Sequence, residues 1–363
     1  QLGTGGTTGT LASASTIYLP SYSATSKLLV NHSDNITMAA SVQGAGNLQK
    51  MGTTSLTLTS NNQNAVFNID GGGLFLQNDA PSDAGTYNGP GTLTIQSASN
   101  SFASAYTLTG MTFGSTLGGL TVGKTTNTST INLTSAAAVA GPIKVYGGYI
   151  YVSADLTATG GSILLDADTG TTLAQSTEGI TLAANVDIKT LTSGDITLIG
   201  RSGSGAATLD GISSANPVTI NSAGNISLTG ISYAGASGSR GINLFGTTIT
   251  AAGSVTMTGQ HGPVSSSYAV SLDAASPVTA GTGITLESLN DTTGTVNLRG
   301  SLNGGTGDVV LTGAVMEFPT SGTAASITTT GKVTIQPDAN QALFNAPVST
   351  QYLSVSSTAT GLT

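Results

Sequence analysis

The sequence has no cysteine and no tryptophan, and only 7% of its residues are charged. Without cysteine there can be no disulfide and no thiolate metal site, although this leaves the compartment open. Nine Lys+Arg stand against 17 Asp+Glu, a formal net charge of −8 spread over 363 residues. The basic residues form no cluster, so the electrostatic footprint of a nucleic-acid-binding surface is missing. No apolar run approaches the roughly 18 residues of a membrane span. Runs of Leu, Glu, Lys and Arg that would build long helices are also missing; the nearest is Ala136-Ala137-Ala138. Hydrophobic residues make up 38% of the chain, too many for a disordered one.

What fills the chain instead is Thr, Ser, Asn and 50 Gly, with Val, Ile and Leu between them. These are strand and turn residues. They fall into a recurring unit: Gly, a spacer, an aliphatic residue, Thr or Asn, and a second aliphatic residue. Gly194-Asp195-Ile196-Thr197-Leu198 is one copy, and Gly161-Ser162-Ile163, Gly224-Asn225-Ile226 and Gly283-Ile284-Thr285-Leu286 open others. Side chains alternate along a strand, so Ile196 and Leu198 share one face and Asp195 and Thr197 the other. One such strand cannot bury its apolar face alone, and many copies must stack. Units begin roughly 8 to 18 residues apart, which suits two or three strands per turn of a coil of roughly 20–30 residues. Short, nearly identical strands stack best in parallel register. The spacing therefore predicts an all-β chain, an elongated parallel β-solenoid rather than a sandwich. Residues 1–34 read as an irregular N-terminal segment and 35–363 as solenoid repeats, with a loop excursion over 78–90 where Asp, Pro, Gly and Asn gather.

One stretch carries a family resemblance. Gly44-Ala45-Gly46-Asn47-Leu48-Gln49-Lys50-Met51-Gly52, followed by Leu56-Thr57-Leu58 and Asn62, resembles the passenger-associated β-helix repeat of autotransporters. Residues 119–170 and the later Gly-x-Ile-Thr-Leu units are similar to the repeats of filamentous-haemagglutinin-like exoproteins. The resemblance implies a right-handed parallel β-helix, secreted or attached to the cell surface of a Gram-negative bacterium, and serving as adhesin, matrix or stalk.

Residues able to do chemistry are few. Asp166 and Asp168 stand two apart and would share a strand face as a carboxylate pair for acid–base hydrolysis, but Asp166-Ala167-Asp168-Thr169-Gly170 reads as turn chemistry. His261 and His32 read as loop residues, too few for a nucleophilic triad. Asp70 and Asp308 follow or precede glycine without the tandem repeat that builds calcium sites. Gly123-Lys124-Thr125 follows Gly118 at phosphate-loop spacing but opens no helix. The expectation is a protein that is not an enzyme and needs no cofactor or metal. Tyr146, Tyr149 and Tyr151 form a tyrosine cluster that either fills or flanks a wide part of the core, or stacks on a saccharide. Asn31, Asn35, Asn127, Asn132, Asn225 and Asn290 each open an Asn-x-Ser/Thr triplet that could accept a glycan if exposed, with Asn132 and Asn225 placed inside strands. Neither Gln1 nor the closing Thr360-Gly361-Leu362-Thr363 offers a charged cap for a solenoid edge. The partner expected first is therefore a second copy, joined end to end in a fibre or matrix. A glycan or host surface bound on a lateral face is the alternative.

Overall fold

The computed structural model describes residues 2–7, 16–20, 27–167, 177–204, 207–262, 267–289, 294–319, 325–337 and 353–357. Among them there is no helix; every regular element is a short strand. The strands wind into a parallel β-helix, right-handed as connections between parallel neighbours are. One sheet of 13 strands runs from Ile36–Met38 to Val333–Gln336. At roughly 4.8 Å per step, this sheet alone makes a rod about 60 Å long. Two sheets of nine strands complete the later coils, one starting at Tyr106–Leu108 and the other at Ala137–Val139. A five-stranded sheet, Lys27–Asn31 to Met111–Phe113, takes their place in the earlier coils.

Alternation within each strand builds the core. In Ile196–Arg201, Ile196 and Leu198 are buried and Thr197 and Ile199 are half-buried. Ile196 stacks on Ile163 below and Ile226 above, and Leu198 on Leu165 and Leu228. Each aliphatic side chain thus buries its flanks against its own kind, one rung away. At about 25 cal/mol per Å² of apolar area, such columns supply the main driving force.

The spacer of the repeated unit has a specific job. Ser162 Oγ accepts a hydrogen bond from the Asp195 backbone N–H at 3.0 Å. Asp195 Oδ1 accepts from the N–H of Asn225 at 2.7 Å and from its Nδ2 at 3.1 Å. Asn225 Oδ1 accepts in turn from the Ser254 N–H at 2.9 Å. The same bond recurs from Ser55 N–H to Asn35 at 2.9 Å and from Lys332 N–H to Asp308 at 2.7 Å. Each of these acceptors satisfies a backbone donor that the next rung would otherwise leave open at the corner. Partners are 20 residues apart at Asn35 and Ser55, 33 at Ser162 and Asp195, and 24 at Asp308 and Lys332. At these spacers the bond is the same at each coil length, whereas Gly73, Gly119, Pro142 and Gly283 hold the same register position without offering a side-chain oxygen. Glycine precedes the spacer for two reasons. Gly194 adopts φ 106, and a Cβ on Gly224 would lie 2.4 Å from Asp195 Oδ1. The first is a left-handed backbone; the second is room for the bond itself.

Three expectations are corrected. The solenoid reaches into residues 1–34: Thr16–Tyr18 pairs with Ser41–Gln43, Lys27–Asn31 pairs with Asn47–Met51, and Leu2 bridges Val30. The 78–90 excursion is shorter than predicted, because Gly85–Asn88 is a strand between Ala65–Ile69 and Met111–Phe113. Its inward residue is Tyr87, an aromatic where the aliphatic pattern gave no signal. Asp166 is not in a turn; it lies in the strand Ile163–Ala167, in register with Tyr146 and Ile199. Asp168 is outside the described residues.

Lys50, in the stretch that resembles the autotransporter repeat, points inward and is 1% exposed. Its Nζ donates to the carbonyls of Met51, Gly52 and Gly71 at 2.8, 3.1 and 3.3 Å. Burial lowers its pKa. Three carbonyl dipoles replace water around the ammonium and tie two successive rungs together.

Candidate functional site

The nine-stranded sheet that begins at Tyr106–Leu108 carries the most chemistry on its outer face. One residue of each strand falls on the face opposite the core, and register stacks these residues in one column: Thr107, Asn132, Tyr151, Thr181, Ser213, Asn243, Ser271, Asn297 and Glu317. A second column stands three residues earlier, at the corner before the strand. There Glu178, Asp210, Arg240 and Tyr268 are stacked by backbone bonds from Gly179 to Asp210, Gly211 to Arg240 and Gly241 to Tyr268.

The two columns interlock. Glu178 accepts from Ser213 Oγ at 2.6 Å and from the Thr181 hydroxyl. Asp210 accepts from the Arg240 N–H at 2.8 Å with one oxygen and from Asn243 Nδ2 at 2.7 Å with the other. Asp210 is 5% exposed, and burial pushes its pKa up to about 6 against the pull of those bonds. Arg240 Nη1 donates to Asn243 Oδ1 at 2.6 Å, and its guanidinium lies 5.4 Å from the centre of the Tyr268 ring, within cation–π range. Burial, and then the Glu317 carboxylate beside it, raise the Tyr268 phenol. Arg299 Nε donates to Asn297 Oδ1 at 3.3 Å. At the adjoining corner, Arg201 donates to the Tyr233 hydroxyl at 3.3 Å and sits 5.9 Å from that ring. All three arginines of the chain lie on this part of the rod. Planar guanidinium, carboxylate and amide groups beside aromatic rings can bind paired hydroxyls. The carboxylates are held in place by these bonds.

The tyrosine cluster divides between two sheets. Tyr149 and Tyr151 point outward from Tyr149–Val152, half-buried, flanking the core rather than filling it. Tyr149 joins the column, bonded to Thr181 and close to Glu178, with its pKa raised chiefly by burial. Tyr146 ends a strand of the 13-stranded sheet, beside Asp166. Among the triplet asparagines, Asn127 is fully buried. Its Oδ1 accepts from Phe102 N–H at 3.2 Å and its Nδ2 donates to the Tyr146 carbonyl at 2.9 Å. This corrects its candidacy as a glycan acceptor, because the amide nitrogen is enclosed and bonded. Asn132 Nδ2 donates to Thr107 Oγ1 at 3.2 Å, and Asn35 and Asn225 belong to the corner ladder. Asn225 stands just before its strand, Ile226–Ile231, not inside it. Asn31 ends the strand Lys27–Asn31, half-buried. Asn290 lies outside the described residues.

His32 and His261 are both 3% exposed, each bonded locally, to Asp34 and to the Gly262 carbonyl. Asp70 accepts from Gln49 Nε2 at 2.5 Å. Among the described residues no three His, Asp or Glu side chains gather as a metal site. The Glu178, Asp210, Arg240 column had a signal in the sequence: a polar residue before Gly-Ile in Glu178-Gly179-Ile180, Asp210-Gly211-Ile212 and Arg240-Gly241-Ile242. No family model, curated protein or solved structure matches the chain, so the family resemblance rests on its own residues, chiefly 44–62.

Proposed function

We propose that the chain is a structural rod: a β-solenoid segment of an extracellular fibre, matrix or adhesin, secreted by or displayed on a Gram-negative bacterium. The observation that carries this reading is the unbroken parallel register of the 13-stranded sheet, in which side-chain acceptors tie successive corners together along Ser162, Asp195, Asn225 and Ser254. A surface that ends in the same unsatisfied donors and acceptors is complementary to another copy of itself. Such a rod is built for length and for lateral display, and it uses no cofactor. Electron microscopy and sedimentation of the purified chain test the self-association. Filaments that lengthen with concentration are expected; monodisperse short rods at high concentration would overturn it.

A second reading is favoured by the Arg240–Tyr268 column, namely that the lateral face binds a saccharide of a host or matrix surface. Glycan-array binding that weakens in Arg240→Ala and Tyr149→Ala is the expected outcome. Unchanged binding in both variants would place the contact elsewhere.

A further inference from the structure

The rod changes cross-section near residue 105. The sheet that begins with Tyr106–Leu108 has no strand before its first member, which pairs only with Thr130–Leu133. The segment 79–84 passes this open edge without joining it. Between the two lies a cleft of about 420 Å³, a volume that suits a small ligand.

The inner end of the cleft is polar and buried. Asp83 lines it and is 5% exposed. Its Oδ1 accepts from the Asn62 N–H at 2.7 Å and from Asn62 Nδ2 at 2.8 Å, and Asn62 Oδ1 accepts from the Val42 N–H at 2.9 Å. These bonds fix the carboxylate across three rungs. Two phenols stand within its electrostatic reach. Burial, and then the Asp83 charge, raise the pKa of Tyr106 and of Tyr87. Tyr106 lines the cleft, and its hydroxyl meets only Met111 Sδ, at 4.0 Å. Tyr87 is fully buried between Phe67 and Phe113, and its hydroxyl has no hydrogen-bond partner. A buried hydroxyl left in this state costs roughly 1–3 kcal/mol. Tyr87 does not line the cleft, so the site rests on Asp83 and Tyr106.

The lining selects the ligand. No Lys, Arg or His lines the cleft, so an anion would be desolvated beside Asp83 with nothing to balance it. A divalent cation needs six or more oxygens in a shell, and Asp79, the other acid here, already accepts from the Ser99 N–H at 2.7 Å. What the cleft offers is a fixed acceptor, a hydroxyl rim at Ser82, Ser104 and Thr107, and a small apolar wall at Ala84 and Ala105. That combination matches a neutral ring with hydroxyls on its edge and C–H bonds on its face.

We propose that the cleft between 79–84 and 104–110 binds one neutral sugar ring, with Asp83 accepting from its hydroxyls and Tyr106 beneath it. This site is separate from the Arg240 column and does not depend on the rod assembling into fibres. Saturation-transfer NMR on the full chain tests it. The probes are the methyl glycosides of glucose, galactose and N-acetylglucosamine, with methylammonium and an acetylated alanine tripeptide as competing chemistries. At least one glycoside is expected to bind in the millimolar range. Ala105→Trp and Ser104→Trp, which plug the cleft from exposed rim positions, weaken it by about tenfold or more. Asp83→Asn, which keeps the acceptor for Asn62, weakens it similarly while melting stays near wild type. The proposal is overturned if no glycoside binds up to tens of millimolar. It is equally overturned if only methylammonium or the tripeptide binds, or if a folded rim variant binds as well as wild type.

Discussion

The first five rungs and the later ones solve the same packing problem with different side chains. Before residue 113 the coil has the five-stranded sheet and the 13-stranded sheet as its main walls. Its interior holds a stack of rings: Phe67 lies 4.9 Å from Tyr87 at 6° between planes, and Tyr87 lies 6.3 Å from Phe113. After residue 130 a third wall is present, and its inward residues Ile150, Ile180, Ile212 and Ile242 fill the middle. Three walls of aliphatic columns close the space that two walls close with aromatics. The changeover is also where the cleft opens. A sheet must begin somewhere, and its first strand has an edge that no rung covers. Regular stacking therefore produces stability, and the interruption of stacking produces a cavity.

Substitutions separate these two designs. Phe67→Ala should be the most damaging, at about 3–5 kcal/mol, because it removes one member of a stack whose neighbours cannot close over the gap. Because rungs contact only their neighbours, hydrogen exchange should accelerate over 36–96 and remain slow over 255–311. Equal acceleration in both parts would show that the rod unfolds as one unit. Leu198→Ala should cost about 2–5 kcal/mol by the transfer and cavity terms, with the exchange pattern reversed. Chemical denaturation of the two variants makes the comparison.

Asp210 gives the later part of the rod a pH response. Its folded pKa, pushed up to about 6 by burial, lies above the ordinary carboxylate value. The folded state therefore holds its proton more tightly than the unfolded state. Stability should fall as pH rises from about 4 through about 6, by about 2–3 kcal/mol. Glu178 and Arg240 face the same carboxylate, so the slope belongs to the group as a whole. Melting curves across this window should flatten in Asp210→Asn; an unchanged slope would assign it to another acid. Asp195→Ala removes an exposed corner acceptor from the Asn225 N–H and should cost about 1 kcal/mol. The smallest effect is expected for Tyr87→Phe. It deletes a hydroxyl with no partner, so stability should stay level or rise, whereas a loss above about 1 kcal/mol would reveal a partner for it.

Much of the rod was legible in the sequence. Ile196 and Leu198 declare a buried face by alternation alone, and the return of Gly-x-Ile-Thr-Leu declares stacking. The spacer was legible as an outward residue but not as an acceptor for the next rung, since Asp195 and Asn225 are 30 positions apart and meet only after the coil closes. Gly85–Asn88 escaped notice because its single inward residue is Tyr87, with no aliphatic partner two positions away. Asn127 looked like a surface triplet, yet turn geometry folds its amide inward onto the Phe102 and Tyr146 backbones. Asp166 looked like a turn residue because of the Asp, Thr and Gly after it, and the strand simply extends further. The lateral column was visible only as a polar residue before Gly-Ile, whose meaning depends on which sheet each copy joins.

The corner ladder has a bearing on how such a chain can change over generations. Where a spacer such as Asn35 or Ser162 offers its oxygen, a rung hands the next one the same acceptor, whether the coil between them is 20 or 33 residues long. Duplicating or deleting a coil within such a run therefore leaves its junctions chemically intact, and a loop can grow on one coil without disturbing its neighbours. Length and ornament become separately adjustable, so a lineage can alter how far the molecule reaches without redesigning how it holds together.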